Sequence, residues 1–322
     1  VTPLKQGEYV IPAALTVHSP EYRWIFIFQL KSGWIREEIE LCLNAVRTVL
    51  TYRLLSDAIR SEKQQAANIQ QSLLPASSPN IDGYEIAGLS IPAEIVGGDL
   101  FDYFDFGKGS FGVCIGDASG HGLPAALLVR DVVTGLRMGF EEDNNFTSKF
   151  SKINKAKFKK KNENKMVHTL KKLNHVIFRS TYSTRFVSLF TASFDATGNF
   201  YFVNAGHPAP IMVSPEKVTE LEPTGLIFGA LPEIELSSAK GFMAEGSVMV
   251  LFSDGIIERM DTNNQEFSLF ALRELIVMER NKRAQEILDT IFSVVLEYGK
   301  SSRWEDDATV IVIKRTGCPK LK

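Results

Sequence analysis

A glycine-bounded stretch from Gly97 to Gly122 constrains the fold of this chain more than any other part of the sequence. Its second half alternates apolar residues with glycine or cysteine. This pattern predicts a strand with one packed face and one face whose backbone another group can approach closely. The apolar positions are Phe111, Val113 and Ile115. A Gly-Lys-Gly turn centred on Lys108 predicts an antiparallel hairpin in which Phe106 pairs with Ser110.

The same ladder, counted outward from the turn, places Asp99 opposite Asp117. Directly opposed residues have Cβ atoms about 5 Å apart, so two ionised carboxylates there repel each other. Either one carboxylate stays protonated or a cation lies between the two. The alternative, that the two aspartates are unrelated turn caps, stays open on these residues alone.

Two further strand-like segments each place a carboxylate at one end. The apolar run from Ser247 to Phe252 leads into Asp254, and Asp306 precedes the run from Ala308 to Ile313 by two positions. Hard divalent cations such as Mg²⁺ and Mn²⁺ prefer carboxylate, carbonyl and water oxygens. Carboxylates brought together from three distant parts of the chain would form such an all-oxygen site.

The composition is that of an ordinary globular protein. The 322 residues are 44% hydrophobic and 23% charged, with a formal net charge of −2. The longest apolar stretches are too short to span a bilayer and no signal peptide is visible, so we expect no membrane segment. Cys42, Cys114 and Cys318 have neither disulfide nor metal-ligand spacing, which is typical of a reducing cytoplasm. Val1 is not a start methionine, and we interpret the sequence as part of a longer chain.

Residues 1–33 contain two strand-like segments, at 8–17 and 22–30, joined by a turn at Ser19-Pro20. They are too few to form a domain. The pair is similar to the last hairpin of a GAF-type sensor domain, and an unrelated N-terminal hairpin is the alternative.

The apolar spacing of residues 34–75 predicts one long amphipathic helix. Apolar residues recur at spacings of four and three, at Ile35, Ile39, Leu43, Val46, Leu50 and Leu54. A periodic stretch of this length is typical of a coiled coil or signalling helix, so we expect it to form a homodimer. We expect Ile69, Leu73 and Leu74 to dock against the domain that follows and to couple helix movement to the hairpin. A helix packed only on its own N-terminal hairpin is the alternative.

The remaining pattern predicts an α+β fold in which inner apolar strands are covered by outer amphipathic helices. The expected strands are Tyr84–Ile91, Phe186–Phe194, Phe200–Val203, Ser247–Phe252 and Ala308–Ile313, and the expected helices are 123–140, 166–178, 269–278 and 284–298. Between the first two helices, residues 149–165 are dense in lysine, which indicates a solvated surface or a dock for an acidic partner. Nucleic-acid binding is disfavoured because the chain is slightly acidic and this run has almost no aromatic residues.

Five short motifs occur in an order and spacing that resembles the sporulation and stress-response branch of the bacterial PP2C-like, metal-dependent serine/threonine phosphatases. The motifs are Val96–Asp102, Ile115–Gly122, Asn204–Pro208, Phe252–Gly255 and Asp306–Thr309. The resemblance covers about residues 66 to 315. It implies a four-layer α-β-β-α sandwich with two Mn²⁺ or Mg²⁺ ions at one end of the sheets. We therefore expect a partial sensor at 1–33, a linker helix at 34–75 and a phosphatase domain at 76–316.

The resemblance also implies a role for each matching residue. Asp117 should bridge both metal ions, and the backbone carbonyl of Ala118 should contribute to one of them. Asp99 should bind metal directly or through water, while Asp254 and Asp306 should complete the coordination of the other ion. Asp102 and Asp307 are expected to support the site without binding metal, and His121 is expected to shape its turn.

Other hydrolytic chemistries fit the sequence worse. Cys114 lies in the middle of a strand with no phosphate-binding loop after it, as a covalent phosphatase would need. The Gly-x-Ser-x-Gly motif of acyl hydrolases fails at Ser119, because the preceding glycine is Gly116, one position too far. What remains is water activated by two cations about 3.5 to 4 Å apart.

The resemblance thus implies a cytoplasmic phosphatase that acts on phosphoserine or phosphothreonine of a regulatory protein, typically an anti-sigma-factor antagonist. Two alternatives stay open. The first is a weakly active phosphatase fold used as a docking module, which retention of the four aspartates disfavours. The second is a two-metal phosphodiesterase, which the absence of histidine ligands disfavours. The chain also departs from some related branches because no arginine lies just before Gly97, which leaves phosphate binding to the metals.

Overall fold

The computed structural model describes residues 11–20, 22–30, 35–107, 109–147, 155–181 and 184–317. Parts of the predicted segments lie outside the described residues, namely residues 1–10, 31–34 and 148–154, Lys108 and Cys318. The chain divides into two compact units, Val1–Ala66 and Ala67–Lys322.

The first unit contains a β-hairpin and most of one long helix. Strands β1 (Ile11–His18) and β2 (Arg23–Leu30) pair antiparallel, with His18 opposite Arg23. Helix α1 (Arg36–Leu73) has 38 residues, which makes it about 57 Å long. The predicted hairpin and the predicted helix are therefore both confirmed. Several large apolar side chains of α1 are exposed, namely Ile35 beside its start and Leu41, Val46, Val49, Tyr52, Leu55, Ile59 and Ile69 within it.

The second unit is built on two antiparallel five-stranded sheets. One sheet contains β4 (Asp99–Gly107), β5 (Ser110–Ala118), β6 (Val187–Phe194), β7 (Asn199–Ala205) and β10 (Ala239–Phe242), in the order β10-β7-β6-β5-β4. The other contains β3 (Tyr84–Ile91), β8 (Ile211–Val213), β9 (Val218–Glu220), β11 (Val248–Phe252) and β12 (Ala308–Arg315), in the order β3-β12-β11-β8-β9.

Helices cover the outer face of each sheet. Helices α2 (Leu123–Thr147) and α3 (Lys155–Thr181) share an apolar core with the first sheet. Helices α5 (Ser268–Glu279) and α6 (Ala284–Gly299) share a second core with the other sheet, and the short α4 (Asp254–Ile257) follows β11 directly.

A third apolar core fills the space between the sheets. Strand β11 shows how the sequence specifies both cores that it touches. Its Met249 and Leu251 point between the sheets, whereas Val248, Val250 and Phe252 point toward the helices. Because successive side chains of a strand alternate between faces, a strand buried on both sides reads as a continuous apolar run. The predicted α-β-β-α sandwich is confirmed.

The hairpin register follows the prediction at its open end and departs from it at the turn. Asp99 lies opposite Asp117, as predicted, but Ser110 pairs with Gly107 and not with Phe106. An irregularity between Asp105 and Gly107 shifts the ladder by one residue. The cause is local, because Gly107 has a φ of +73° and its N–H donates to the Asp105 carboxylate at 2.7 Å.

The short elements β8, β9, β10 and α4 were not predicted, because three or four residues are too few to show a period. Helix α2 extends seven residues beyond its predicted end at residue 140. In the ranges that the structure describes, every helix is too short or too polar to cross a bilayer.

Candidate metal centre

Asp99 opens β4 at the edge where β5 ends, and its carboxylate is buried. The residue is only 4% exposed, and its Oδ2 accepts a hydrogen bond of 2.6 Å from the Thr309 hydroxyl on β12. Burial raises the pKa of Asp99 well above its ordinary value, and the neighbouring charge of Asp117 adds to this effect. Asp99 is therefore held against Thr309 in this structure.

Asp117 lies opposite Asp99, and the charges of the other predicted acidic residues act on it. Its pKa is raised from 3.8 to about 7, chiefly by burial and then by the negative charges of Asp254, Asp306 and Asp307, in that order of size. These residues come from the ends of β5, β11 and β12, which lie in two different sheets. The folded chain thus brings the predicted acidic segments into electrostatic reach of one another.

Pairing of β11 with β12 brings Asp254 and Asp306 to the same end of the second sheet. Phe252 pairs with Val310, and the Ser253 N–H donates to the Thr309 carbonyl at 2.9 Å. Burial raises the pKa of Asp254, and the charge of Asp306 contributes the next largest effect. Asp254 is half-buried, whereas Asp306 is exposed.

The Asp307 carboxylate accepts its hydrogen bonds from backbone N–H groups, while the Asp307 N–H itself donates to Asp306 Oδ1 at 2.8 Å. Its Oδ1 accepts a hydrogen bond from Ala93 N–H at 2.8 Å, and its Oδ2 accepts from the N–H groups of Gly98 and Asp99. The carboxylate is 8% exposed and ties residues 93–99 to the start of β12. Asp307 therefore fixes the position of Asp99.

Gly98 leaves room beside two oxygens for which the family resemblance implies metal binding. A Cβ at this position would lie 2.7 Å from the Ala118 carbonyl oxygen and 2.9 Å from Asp117 Oδ1. The Ala118 N–H in turn donates to the Gly98 carbonyl at 3.0 Å, so the two strands stay close here. Glycine is the residue that keeps both oxygens uncovered.

The described residues contain no group of three or more His, Cys, Asp and Glu side chains close enough together to hold a metal ion. Asp117 and Asp254 line one cavity of about 450 Å³, whereas Asp99 and Asp306 do not line it. Carboxylates that carry like charge repel one another, which opposes closer approach in the protein alone. The donor types, carboxylate and backbone carbonyl oxygens, and the space beside Gly98 fit a hard divalent cation.

Gln70 is a buried polar residue near the site that sequence reasoning missed. It is 8% exposed on the last turns of α1, its amide nitrogen donates to the Gly97 carbonyl, and its Oε1 accepts from Gly97 N–H at 3.0 Å. The docking predicted for Ile69 is wrong, since that side chain is 62% exposed. Leu74 is partly buried against two of the cores. A glutamine among other polar residues gives no sequence signal of burial.

Arg137 also links the end of α1 to the hairpin. Its guanidinium donates to Asp102 Oδ2 at 2.6 Å and to the Leu73 carbonyl at 2.6 Å. Asp102 is 4% exposed, and its other oxygen accepts from Tyr103 N–H. His121, by contrast, has a side chain 89% exposed, between Gly120 and Gly122, which both adopt positive φ.

Arg259 is fully buried just beyond α4, and sequence reasoning missed it too. Its guanidinium donates to the carbonyl oxygens of Ser301 and Arg303 and to the Glu305 carboxylate, at 2.5, 2.6 and 2.7 Å. It also lies 4.9 Å from the centre of the Trp304 ring. Arg259 therefore holds the loop that leads into Asp306.

The raised pKa of Asp117 predicts that the metal-free protein loses stability as pH rises. A carboxyl whose folded pKa is about 7 instead of 3.8 contributes stability that is complete below about pH 4 and lost as pH rises through about 7. Thermal unfolding in EDTA should show a lower midpoint at about pH 8 than at about pH 5.

Excess Mn²⁺ should remove this decrease, because a cation bound to the native carboxylates stabilises the folded state more as they ionise. An Asp117→Asn variant without metal should show a smaller decrease than the parent. A metal-free midpoint that rises from pH 5 to 8 would contradict the electrostatic description of the site.

A comparison with protein families matches residues 107–316 to the model of Stage II sporulation protein E (SpoIIE). This span is about two thirds of the 322-residue chain and includes Asp117, Asp254 and Asp306. Asp99 precedes it.

Individual proteins show the same similarity. Phosphoserine phosphatase RsbU of Bacillus subtilis (strain 168) is 28% identical over 268 residues, covering 82% of this chain and 73% of RsbU. Among solved structures, the SiaA PP2C domain of Pseudomonas aeruginosa has a TM-score of 0.64 at 18% identity, covering 80% of this chain and 98% of that domain. The RsbU and RsbW domains of Rv1364c from Mycobacterium tuberculosis have a TM-score of 0.58 at 22% identity, covering 76% of this chain and 64% of that one. At these identities the two structures show the fold.

Proposed function

The chain belongs to the SpoIIE family of PP2C-like serine/threonine phosphatases, and from this premise we propose that it removes phosphate from phosphoserine or phosphothreonine of a regulatory protein, using water activated by two divalent cations. The observation that carries the proposal is the position of Asp117, which lies opposite Asp99 and within electrostatic reach of the acidic residues beside β11 and β12. Asp117 and Asp254 moreover line one cavity that can admit a substrate.

We assign the metal-binding role to the carboxylates of Asp99, Asp117, Asp254 and Asp306 and to the carbonyl of Ala118. When bound there, Mn²⁺ or Mg²⁺ would lower the pKa of a water and stabilise the attacking and leaving oxygens of the phosphoryl group. Asp307 and Arg259 act on this site through other residues. Asp307 holds the N–H groups of Gly98 and Asp99, and Arg259 holds the loop before Asp306.

The substrate and cellular setting belong to the same proposal. RsbU is named a phosphoserine phosphatase, which supports phosphoserine as the group that is hydrolysed. A substrate protein of the anti-sigma-factor antagonist type is what the motif resemblance implies. We propose a cytoplasmic location, a partial sensor at 1–33, a linker at 34–75 and a phosphatase domain at 76–316. The exposed apolar residues of α1, such as Leu41, Val49 and Tyr52, support a homodimer formed through this helix. Its test is the mass of the protein in solution.

The decisive experiment measures Mn²⁺-dependent release of phosphate from a phosphoserine peptide, with a phosphodiester as a parallel substrate. We expect hydrolysis of the peptide that depends on the cation and little hydrolysis of the diester. Activity on the diester alone would support a phosphodiesterase in place of the proposed phosphatase. Absence of hydrolysis with both Mn²⁺ and Mg²⁺ would favour the docking-module alternative and contradict the proposal.

A further inference from the structure

The cavity that Asp117 and Asp254 line has apolar walls for which the proposed chemistry has no use. These walls, here called the flank pocket, are formed by Phe186, Pro208, Ile227 and Ile257. The cavity of about 450 Å³ is large enough for an amino-acid side chain. Because the pocket adjoins the two aspartates, a side chain bound in it would belong to the same molecule as the group that reacts there.

Phe186 is held at a fixed distance from the aspartates. Its N–H donates to the Ser119 hydroxyl at 3.0 Å, and its carbonyl accepts from the Ser119 N–H at 2.9 Å. Ser119 lies two residues after Asp117, so this pair of hydrogen bonds fixes Phe186 to the same segment. The Phe186 side chain is nevertheless 47% exposed. A large aromatic residue held in place and left partly exposed gains stability when an apolar group covers it.

Ile227 is fixed by backbone hydrogen bonds of its neighbour in the same way. Val187 and Phe228, the neighbours of Phe186 and Ile227, exchange both backbone hydrogen bonds at 2.9 Å. A Cβ at Gly206 would lie 2.2 Å from the Ile227 side chain, so only glycine lets Ile227 reach the cavity. Phe186 and Ile227 are therefore held by one backbone arrangement.

The polar residues lining the cavity offer no positive charge to a ligand. His207 is 2% exposed, its Nδ1 lies 2.9 Å from the Ser188 hydroxyl, and its Nε2 has no hydrogen-bond partner within the described parts of the chain. The charged residues of the lining are all acidic, namely Asp117, Asp254 and Glu258. Away from the two aspartates, which are assigned to cation binding, the lining therefore suits an uncharged apolar side chain.

We propose that the flank pocket binds an apolar side chain adjacent to the phosphorylated residue of the protein substrate, and that it thereby selects among phosphoproteins. This inference rests on the proposed phosphatase function and adds a sequence preference to it. The phosphorylated residue occupies the aspartate end of the cavity, and its apolar neighbour packs against Phe186 and Ile227.

The test compares two phosphoserine peptides that differ only in the residues beside the phosphoserine, leucine in one and serine in the other. With Mn²⁺ and the parent protein, we expect a KM about tenfold lower for the leucine peptide, the scale of one buried apolar side chain. Phe186→Ala should reduce this ratio to within about twofold of unity, because the covering wall is lost. Ile227→Ala, a second residue of the lining, should reduce the ratio in the same direction.

The matched control is Phe270→Ala, which removes a phenylalanine that is 70% exposed on α5 and does not line the cavity. It should keep the full preference. Equal KM values for the two peptides with the parent protein, or an equal loss of preference in Phe270→Ala, would overturn the flank pocket alone, because hydrolysis itself is observed. Lack of hydrolysis of both peptides and of N-acetyl-O-phosphoserine amide would overturn the proposed function together with it.

Discussion

Replacing Asp117 with asparagine should lower Mn²⁺-dependent hydrolysis of a phosphoserine peptide by about a thousandfold, equivalent to about 4 kcal/mol in the barrier. Asp117 is the residue proposed to bridge both cations, and an amide of the same shape supplies no negative charge to hold them. The space that Gly98 leaves beside Asp117 stays open in this variant, so the loss measures charge and not shape.

The same substitution should stabilise the protein in the absence of metal. The pKa of Asp117 is raised to about 7 by burial and by three neighbouring acidic residues, so its ionised form is unfavourable without a cation. At about pH 8 in EDTA, Asp117→Asn should therefore unfold at a higher temperature than the parent. Opposite changes in activity and stability separate loss of a metal ligand from simple misfolding.

Asp289→Asn is the matched control, because Asp289 is an exposed residue of α6 whose carboxylate accepts a hydrogen bond from Gln285. It should leave both activity and stability near the parent values. If Asp117→Asn keeps more than about a tenth of the parent activity at saturating Mn²⁺, Asp117 does not hold the cations.

Arg259→Met should produce the largest loss of stability, about 3 to 5 kcal/mol. The substitution removes the donors that satisfy the Ser301 and Arg303 carbonyls and the Glu305 carboxylate. The carbonyl oxygens are left without these partners, while methionine replaces only the apolar part of the contact with Trp304. For a unit of this size, the thermal midpoint should decrease by roughly 10 °C.

Arg259 should also affect metal binding, since it joins the segment after Asp254 to the loop before Asp306. Isothermal titration with Mn²⁺ at a temperature where the variant is folded should give an affinity about tenfold weaker than that of the parent. Arg303→Met is the control, because the exposed Arg303 contributes its backbone carbonyl, which the substitution keeps. A variant Arg259→Met with the parent's midpoint and affinity would show that the buried guanidinium supports neither the loop nor the site.

The features that could be predicted from sequence are those that repeat along the chain. The opposition of Asp99 and Asp117 follows from a period of two, because a slip of one residue would turn every apolar side chain of β5 to the wrong face. The continuous apolar run of β11 likewise indicates a strand buried on both sides. The register error near Lys108 arose because a turn with glycines at positive φ can absorb one residue without changing the pattern.

The parts of the site that could not be predicted are buried polar contacts between distant segments. Gln70 lies in a polar part of α1, and Arg259 follows Glu258, so both resemble surface residues in sequence. Their burial depends on which backbone groups the complete fold leaves without partners, here Gly97 and the loop after Gly299. No local period carries that information. The sequence carries only an indirect signal, a glycine such as Gly299, whose missing side chain leaves the space that Arg259 occupies.

Anomalous scattering of Mn²⁺ in crystals of the protein tests directly whether these carboxylates bind two cations. We expect two Mn²⁺ peaks about 3.5 to 4 Å apart, with Asp117 between them and Asp254 and Asp306 at one of them. Crystals of Asp117→Asn grown under the same conditions should show neither peak at full occupancy. Fully occupied peaks away from these carboxylates, or none at saturating Mn²⁺, would contradict the claim that residues from three distant strand ends form one cation site.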